Sequence, residues 1–488
     1  MVARLRGRVA LVLIVLALGI AVAYVELPRG IGIGDPYFSF LGNPGYDAQH
    51  YTIDLSVDVP ANTIAGTLTL NALATQNLSA IGLDYNGPAI SAVQVNDSAV
   101  AFSRDSGKLI ITPATQLPND QPFTVVVTYA GSPGLLPNPT SSDAPGWIHS
   151  ADNIITVGAP NGLSAWVPVN EHPKDKATYS FLITVGQRYN VVANGTLQSV
   201  TKNGNQVTYD WEMRQPMASY LATVEIGDFL WQESQSPNGV PIRNYFASGL
   251  AQAATVVFAK QGEMVDYFSS LFGAYPFDAY GSIVVPVPLG FAMETQGMSM
   301  FDSSVITNAH ADDPTSGDGQ IAHELAHQWF GDSVSLSTWR DIWLNEGFAT
   351  YLSWVWLEHS SGEAVFHSLV QNAYDSLSGA ALRQQGQSED AIRQHLLSFT
   401  ITGDPTPDKL FDWDGVYQRG ALTLHALRLT IGDDAFFSTL KTYQQKFRYG
   451  NATTDDFIAV AETVIGKSLH DFFQHWLYDP IIPELPQE

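Results

Sequence analysis

The chain has 488 residues, 45% of them hydrophobic, and this length is too great for one ordinary core, so two or three domains are expected. Its 23 Lys and Arg against 48 Asp and Glu give a net charge of −25, which argues against nucleic acid or an anionic membrane surface as the main partner. The excess acid fits solubility, with an acidic steering field as the alternative. There is no cysteine, so disulfides and thiolate chemistry are excluded, and a metal would be held by His, Asp or Glu.

Residues 1–26 have the features of a targeting segment. Three arginines precede an apolar run from Val9 to Ile20, and a small-x-small site follows at Ala21–Ala23, which predicts a secretory signal peptide. Counted through to Val25 the run has 17 residues and just reaches the length of a membrane anchor. Cleavage and anchoring both stay open, and either predicts an extracytoplasmic protein that is secreted or membrane-anchored.

The next part of the chain predicts a tether and then a β domain. Residues 27–46 are rich in Pro and Gly, which is typical of an irregular tether. Over residues 47–235 the runs HYTIDLSVDV, GTLTLNAL and FTVVVTY alternate apolar and polar residues, the period of half-buried strands. Asn203-Gly204 lies between two such runs and predicts a hairpin. We therefore expect an N-terminal antiparallel β domain.

The pattern changes at about residue 236. Two strand-like runs remain, IRNYFA and SIVVPV, and from Gly319 onward the periodicity is mostly helical. The helical runs are IAHELAHQWF, FATYLSWVWLEHSS, YQRGALTLHALRLTI and DDFIAVAETVIG. Strands followed by helices predict an α+β protein, with a mainly helical domain over residues 236–488.

The stretch GQIAHELAHQWFGD contains two histidines four residues apart. Helical spacing over Gln320–Phe330 would place His323 and His327 on one face, where both imidazoles can bind one ion. Nitrogen ligands without sulfur favour zinc, and Glu324 could face a water on the metal without binding it. The alternative is a pair of polar histidines on an amphipathic helix.

A catalytic zinc needs a third protein ligand and an open position for water. Eighteen residues separate His327 from Glu346, which begins the next helical pattern in WLNEGFATYLSW. Two antiparallel helices joined by a short loop would bring Glu346 back beside the histidines. The other reading of Glu346 is an acid in the first helical turn, favoured there by the helix dipole.

These motifs resemble those of the M1 family of zinc metallopeptidases, the aminopeptidase N-like gluzincins. The resemblance runs from about Asp35 to the end of the chain and includes WVPVNEHPKDKATYSF, PMASYLATVEIGDF and VYQRGALTLHALR. It implies a thermolysin-like catalytic domain behind the β domain. The sequence ends about 140 residues after Glu346, so the short two-domain form is expected, without the C-terminal helical domain that roofs the site in many members.

The resemblance also implies roles for individual residues. His323, His327 and Glu346 would bind one zinc ion per chain, and Glu324 would be the general base. Tyr417, in YQRGA, matches the tyrosine that stabilises the oxyanion.

FAMET, at residues 291–295, corresponds to the family's amine-recognition motif, although its first and last positions differ. The match implies that Glu294 binds the free α-amino group and that Ala292 and Met293 also contact the substrate. Phe291 and Met293 would form an apolar wall that favours bulky or neutral N-terminal residues such as Leu or Ala.

Two further positions carry open questions. Ala159 lies where the family usually has a Gln or Glu that helps to bind the amine, and its methyl group would loosen the requirement for a free N-terminus. Asp341, in WRDIWLNEG, would either accept a hydrogen bond from a ligand histidine or be a surface charge.

The function implied is release of N-terminal residues from peptides by attack of a zinc-bound water. The first alternative is a thermolysin-like endopeptidase with an open cleft, favoured by Ala159 and opposed by Glu294. The second is a non-catalytic surface binding protein, which the intact Glu324 and Tyr417 oppose. N-terminally acetylated peptides separate the first two, because an aminopeptidase does not cleave them.

Overall fold

The computed structural model describes residues 32–138, 140, 144–307 and 317–487. The predicted signal peptide or anchor at 1–26 and the first residues of the predicted tether lie outside this part of the chain. Within it, no helix combines the length and the apolar composition that crossing a membrane would need.

Up to Gly227 the described residues form a β domain. Its strands are β1 (Tyr46–Asp58), β2 (Thr63–Ala74), β3 (Ile81–Asp84), β4 (Ala89–Val95), β5 (Ser98–Ala99), β6 (Ala101–Asp105), β7 (Lys108–Thr112), β8 (Pro122–Gly131), β9 (Gly146–Ser150), β10 (Asn153–Val157), β11 (Ala177–Gly186), β12 (Asn190–Ala193), β13 (Thr196–Asn203), β14 (Gln206–Met217) and β15 (Val224–Gly227). An eight-stranded sheet has the order β13-β14-β11-β1-β2-β8-β4-β5. Two smaller sheets have the orders β12-β15-β10-β9 and β3-β7-β6.

The large sheet is antiparallel except at its centre. There β1 pairs in parallel with β11, from His50 opposite Thr178 to Ser56 opposite Thr184. A parallel pair needs a long connection, and β2 to β10 supply it. The β domain is therefore as predicted from the alternating pattern, but its main sheet is mixed, because alternation along a strand does not specify the direction of the neighbouring strand.

The strands form where the sequence alternates. In β1, Ile53 and Leu55 are fully buried while the residues between and after them are exposed, and burying such a side chain contributes about 1.5–3 kcal/mol. The hairpin predicted at Asn203-Gly204 joins β13 to β14. Asn203 is the last paired residue of β13, and Gly204 turns the chain with a φ of +58°, a conformation that favours glycine.

The second half of the chain contains more strands than predicted. They are β16 (Phe229–Gln235), β17 (Pro241–Ala247), β18 (Tyr280–Val285), β19 (Ala292–Met293), β20 (Ser299–Asp302), β21 (Ser335–Leu336) and β22 (Asn451–Ala452). The first five form one sheet in the order β16-β17-β18-β20-β19. IRNYFA and SIVVPV lie in β17 and β18, whereas β19 and β20 are too short to show a period. Strand β16 ends at the predicted boundary of residue 235 and pairs with β17 beyond it.

Helices make up most of the remaining chain. They are α1 (Ala251–Val257), α2 (Gln261–Phe272), α3 (Ser304–Thr307), α4 (Asp318–Ala326), α5 (Trp343–Ser361), α6 (Glu363–Ser378), α7 (Ala380–Gln384), α8 (Glu389–Leu396), α9 (Arg419–Ile431), α10 (Asp433–Phe447), α11 (Thr454–Ile465) and α12 (His470–Phe473). Helix α5 is buried over nearly its whole circumference and lies at the centre of this half. A short π-helical turn, Trp413–Gln418, leads into α9.

The helix with the two histidines is shorter than predicted. The sequence predicts a helix over Gln320–Phe330, but α4 ends at Ala326, and His327 follows with helical angles, φ −55° and ψ −29°. The chain then turns at Gly331, which has a φ of +137°. A β-carbon at Gly331 would lie 3.1 Å from Nδ1 of His327, so both the backbone conformation and the space there require glycine.

The described part of the predicted tether packs into the fold. We name residues 32–45 the N-terminal arm. Its Phe38 and Leu41 are buried in the core, with 1% and 3% of their surface exposed, and the Asp35 side chain is buried as well. Its Pro and Gly content fits an irregular backbone, but the apolar side chains between them give the arm a surface to bury.

Candidate active site

The two histidines and Glu346 form a tight cluster. The Nε2 atoms of His323 and His327 lie 3.1 Å apart, and each is 3.4 Å from Oε2 of Glu346. Two ligands at tetrahedral positions, each about 2.0–2.1 Å from a zinc ion, would be about 3.3 Å apart. Two nitrogens and one carboxylate oxygen at these separations therefore fit one zinc ion with a fourth position left open.

Helix packing creates this cluster. Helix α5 lies against α4 on one side and α9 on the other. At the second crossing a β-carbon on Gly347 would lie 2.8 Å from the α-carbon of Gly420, so only glycine allows the two helices this close. The close approach brings the turn that carries Tyr417 beside Glu346, the residue before Gly347.

The ligand histidines are oriented by groups that the sequence did not single out. Nδ1 of His327 lies 3.2 Å from the carbonyl oxygen of Phe330, and Nδ1 of His323 lies 3.5 Å from Oγ1 of Thr350. Each contact points the opposite nitrogen, Nε2, toward the cluster.

Asp341 is neither the partner of a ligand histidine nor the surface charge that were predicted, so both predictions were wrong. Its carboxylate is buried and accepts hydrogen bonds from Thr338 Oγ1 and from the backbone N–H and Oγ1 of Thr454. It therefore contacts neither a ligand histidine nor solvent. Asp341 ties the segment before α5 to the start of α11, because Thr454 is the first residue of that helix.

The histidines and carboxyl groups of the site shift one another's pKa values. Burial would raise the pKa of Glu346, but the two histidines outweigh it and lower that pKa to about 2. Burial would lower the pKa of His327, but Glu346, Glu294 and Glu324 raise it to about 10. Glu346 is therefore held as a carboxylate, the form that binds a cation.

Two further carboxylates face the same place. Atoms of Glu294, Glu324 and His327 lie within 4.8 Å of one another. Burial raises the pKa of Glu324 well above its usual value, and burial also raises the pKa of Glu294. Carboxyl groups with raised pKa values, next to a cation site in a cavity, are suited to taking up and releasing protons. An ammonium group bound beside one of them would lower its pKa and favour the carboxylate.

Glu294 is held in place by residues that the motifs did not identify. Gln328 donates from Nε2 to the carbonyl oxygen of Glu294 and accepts from the backbone N–H of Gly297, at 3.2 and 2.7 Å. Burial raises the pKa of Glu294, and His327 and Tyr220 act in the opposite direction. Tyr220 in turn accepts from Asn345 at 3.1 Å.

Tyr417 lies over the cluster on its π-helical turn. Its ring stacks on that of His323, with centroids 6.0 Å apart and an interplanar angle of 13°. Burial, together with Glu346, Glu294 and Glu324, raises the pKa of its hydroxyl well above the usual value. The hydroxyl therefore stays protonated and can donate a hydrogen bond.

The metal cluster, the two further carboxylates, Tyr220 and Tyr417 line one cavity of about 760 Å³. Ala159, Phe291, Ala292 and Met293 also line it. Ala159 places a methyl group in the cavity wall, at the position where the family resemblance implied a Gln or Glu. No Lys or Arg is among the described residues that line the cavity.

Sequence patterns missed Tyr220, Trp339, Gln328 and Asn345 as residues of this site. All four lie within the quoted stretches, but none stands at a metal-ligand spacing. Only the packing of the two halves brings Tyr220 of the β domain against Trp339 and Asn345.

Family comparisons agree with this geometry. The Peptidase family M1 domain matches residues 257–476, and the Peptidase M1 N-terminal domain matches residues 47–221. Aminopeptidase M1 of Arabidopsis thaliana is 24% identical over 454 residues, which cover 88% of this chain and 50% of that protein. Aminopeptidase N of Streptomyces lividans is 28% identical over 63% of this chain and 36% of that protein. The chain thus spans half or less of the length of these relatives.

Solved structures match over more of their length. A mutant of the M1 zinc metallopeptidase from Deinococcus radiodurans, bound to a Tyr-Ser-Ala substrate, has a TM-score of 0.82 and 30% identity and covers 93% of this chain and 99% of that chain. A two-domain M1 zinc metallopeptidase bound to L-tryptophan also has a TM-score of 0.82, at 30% identity, with 94% and 100% covered. The fold and the metal cluster define the class of zinc metallopeptidases. The chain belongs to peptidase family M1, and zinc is the cofactor its cluster fits.

Proposed function

We propose that this chain is a zinc-dependent aminopeptidase that releases N-terminal residues from peptides. The observation that carries the proposal is the position of Glu294, whose carboxylate shares one cavity with the cluster of His323, His327 and Glu346. An ammonium group bound at Glu294 would leave only the first peptide bond within reach of the cluster.

Each residue then has a chemical task. Zinc, when bound, supplies a Lewis acid for the scissile carbonyl and for the attacking water. Glu324 takes the proton from that water and delivers it to the leaving amine, and its raised pKa suits both transfers. The protonated hydroxyl of Tyr417 donates to the oxygen that becomes negative. Glu294 holds the substrate's ammonium group.

The cavity also indicates a substrate class. Its described lining combines Glu294, Glu324 and Glu346 with apolar groups such as Phe291 and Met293, and it offers no cationic side chain. An acidic N-terminal residue would therefore meet like charge without a partner, whereas apolar or cationic residues would not. Related enzymes were solved with Tyr-Ser-Ala, L-tryptophan and L-arginine bound, which supports this preference.

The test compares free and blocked N-termini. The wild type, Glu324→Gln and Glu294→Ala are assayed on Leu-p-nitroanilide, N-acetyl-Leu-p-nitroanilide and an internally quenched, N-acetylated peptide. We expect hydrolysis of the free anilide only, a loss of about 10²–10⁴-fold in Glu324→Gln, and a raised KM in Glu294→Ala. Cleavage of the blocked peptide in a Glu324-dependent manner would instead establish the endopeptidase.

We also propose an extracytoplasmic location, secreted or membrane-anchored. The proposal rests on the three arginines and the apolar run within residues 1–26. Expression of the full chain in a bacterial host, with fractionation and mass determination of the N-terminus, tests it. A protein with Met1 intact in the cytosolic fraction would contradict it, and loss of the segment or membrane retention would separate cleavage from anchoring.

A further inference from the structure

A buried carboxylate ties the N-terminal arm to the catalytic half of the molecule. Oδ1 of Asp35 accepts the backbone N–H groups of Tyr37 and Phe38 at 2.8 and 2.9 Å. Oδ2 accepts the backbone N–H of Trp339 at 2.9 Å and lies 3.1 Å from Nε2 of His172. One side chain therefore joins the arm, the β domain and the segment that precedes α5.

The hydrogen bonds at this junction define the tautomer of His172 and the ionisation state of Asp35. Nδ1 of His172 accepts the backbone N–H of Lys174 at 3.1 Å, so the ring proton is on Nε2 and is donated to Asp35. Burial would raise the pKa of Asp35, but the hydrogen bonds from His172 and the backbone lower it. Asp35 is therefore an ionised acceptor closed in by donors, at a site with 1% or less of either side chain exposed.

The Trp339 side of this junction reaches the substrate cavity. Trp339 lines the cavity wall. The ring of Phe38, from the arm, packs edge-on against Trp339, with ring centroids 5.7 Å apart. The ring of Tyr220 also packs on Trp339, with centroids 5.3 Å apart. Tyr220 lines the same cavity as Glu294. The wall at Trp339 therefore adjoins the group that would hold the substrate's ammonium.

The arm itself is anchored at several points. The backbone N–H of Gly42 donates to Asp84 at 3.1 Å and the backbone N–H of Asn43 donates to Asn170 at 2.6 Å, both in the β domain. On the catalytic side, the hydroxyl of Tyr37 donates to Asp404 at 2.6 Å. These contacts fix the arm relative to both halves, so Asp35 presents its carboxylate to Trp339 from a fixed position.

We propose that the N-terminal arm is part of the substrate site, with Asp35 as a positioning residue that holds Trp339 as the wall for the N-terminal side chain of the substrate. The inference rests on the proposed aminopeptidase function. A bulky first residue such as Leu would depend on the wall at Trp339, whereas Ala is too small to pack against it. Asp35 would therefore affect selectivity and KM rather than the chemical step.

Asp35→Asn tests this link because it is isosteric. The Asn oxygen can keep the two arm contacts, but its amide N–H₂ would face the N–H donors of Trp339 and His172 without an acceptor. The matched control is His172→Leu, which removes the donor ring from the same carboxylate and leaves the Trp339 contact. Both variants are assayed on Leu- and Ala-p-nitroanilide, with zinc content and thermal midpoint measured in parallel.

We expect kcat/KM of Asp35→Asn for the Leu substrate to fall about tenfold, through KM, with less than about a twofold change for Ala. Zinc content should stay at the wild-type value, and His172→Leu should keep the wild-type Leu/Ala ratio. An unchanged ratio in a folded, zinc-loaded Asp35→Asn overturns the proposal, as does an equal loss on both substrates.

A second variant decides the question if Asp35→Asn does not fold. Phe38→Leu keeps an apolar side chain in the arm but loses the edge-on ring contact with Trp339, and a lowered Leu/Ala ratio is again expected. An unchanged ratio there overturns the proposal. Failure of the proposed function is distinct, because the wild type itself would then hydrolyse neither anilide.

Discussion

The molecule buries carboxyl groups in two regions, and their surroundings differ. In the β domain, Glu225 accepts hydrogen bonds from Thr223 and from Thr156, through both the backbone and the hydroxyl of Thr156. In the catalytic cavity, the carboxylate of Glu324 accepts no hydrogen bond from the described residues. Burial raises the pKa of both groups, that of Glu225 to about 8.

Burial alone therefore does not distinguish a functional acid from a structural one. The carboxyl of Glu225 is engaged by neighbouring strands and contributes to the arrangement of the sheet. The carboxyl of Glu324 faces a cavity that also contains Glu294 and the three-residue metal cluster. A raised pKa indicates a reactive group here only where the carboxyl is also left open to a ligand.

Removal of a metal ligand should have the largest effect. In His327→Ala the cluster keeps only His323 and Glu346, so we expect zinc to be lost on dialysis and anilide hydrolysis to fall by at least about a thousandfold. Zinc is measured by elemental analysis of the dialysed protein. His425→Ala is the control, a buried histidine outside the cluster. One zinc per chain in dialysed His327→Ala would refute the ligand assignment.

Loss of the Tyr417 hydroxyl should cost less. Tyr417→Phe keeps the ring against His323 but removes the donor to the developing negative charge, so kcat should fall about 10²–10³-fold with little change in KM. Steady-state kinetics on Leu-p-nitroanilide measure both. Tyr443→Phe, which removes a hydroxyl from the helical core away from the cavity, should leave kcat unchanged. A pure KM effect in Tyr417→Phe would assign that hydroxyl to substrate binding.

Glu225→Gln tests whether the buried carboxyl of the β domain affects stability alone, and it should leave catalysis unchanged. Between pH 4.5 and about 8 the folded wild type keeps the Glu225 proton while the unfolded chain releases it. The free energy of unfolding of the wild type, relative to the variant, should therefore fall over that window, by on the order of 3 kcal/mol.

Urea unfolding of zinc-saturated protein at about pH 5 and about pH 8.5 measures this difference. Glu233→Gln, at an exposed position of β16, is the control and should show no such pH dependence. A constant difference between wild type and Glu225→Gln across the two pH values would show that Glu225 does not retain a proton in the folded state.

Much of the fold follows from local patterns. The alternation in β1 and the helical period in α11 depend on residues close in sequence, so the sequence predicts these elements. Strands β19 and β20 have no such pattern because they are too short to show a period. The parallel pairing of β1 with β11 depends on chain direction, about which alternation carries no information.

The sequence by itself determined the histidine pair of the metal centre, because His323 and His327 are one helical turn apart and this spacing is a local property of the chain. Tertiary structure decided the rest of the site. Glu294 and Trp339 are brought to the cluster by contacts between distant segments. Asp35 lies in a stretch that the sequence predicts to be a tether, yet it is buried against Trp339, more than 300 residues away. Local composition cannot specify such contacts, because they depend on how two domains bury their apolar surfaces against each other.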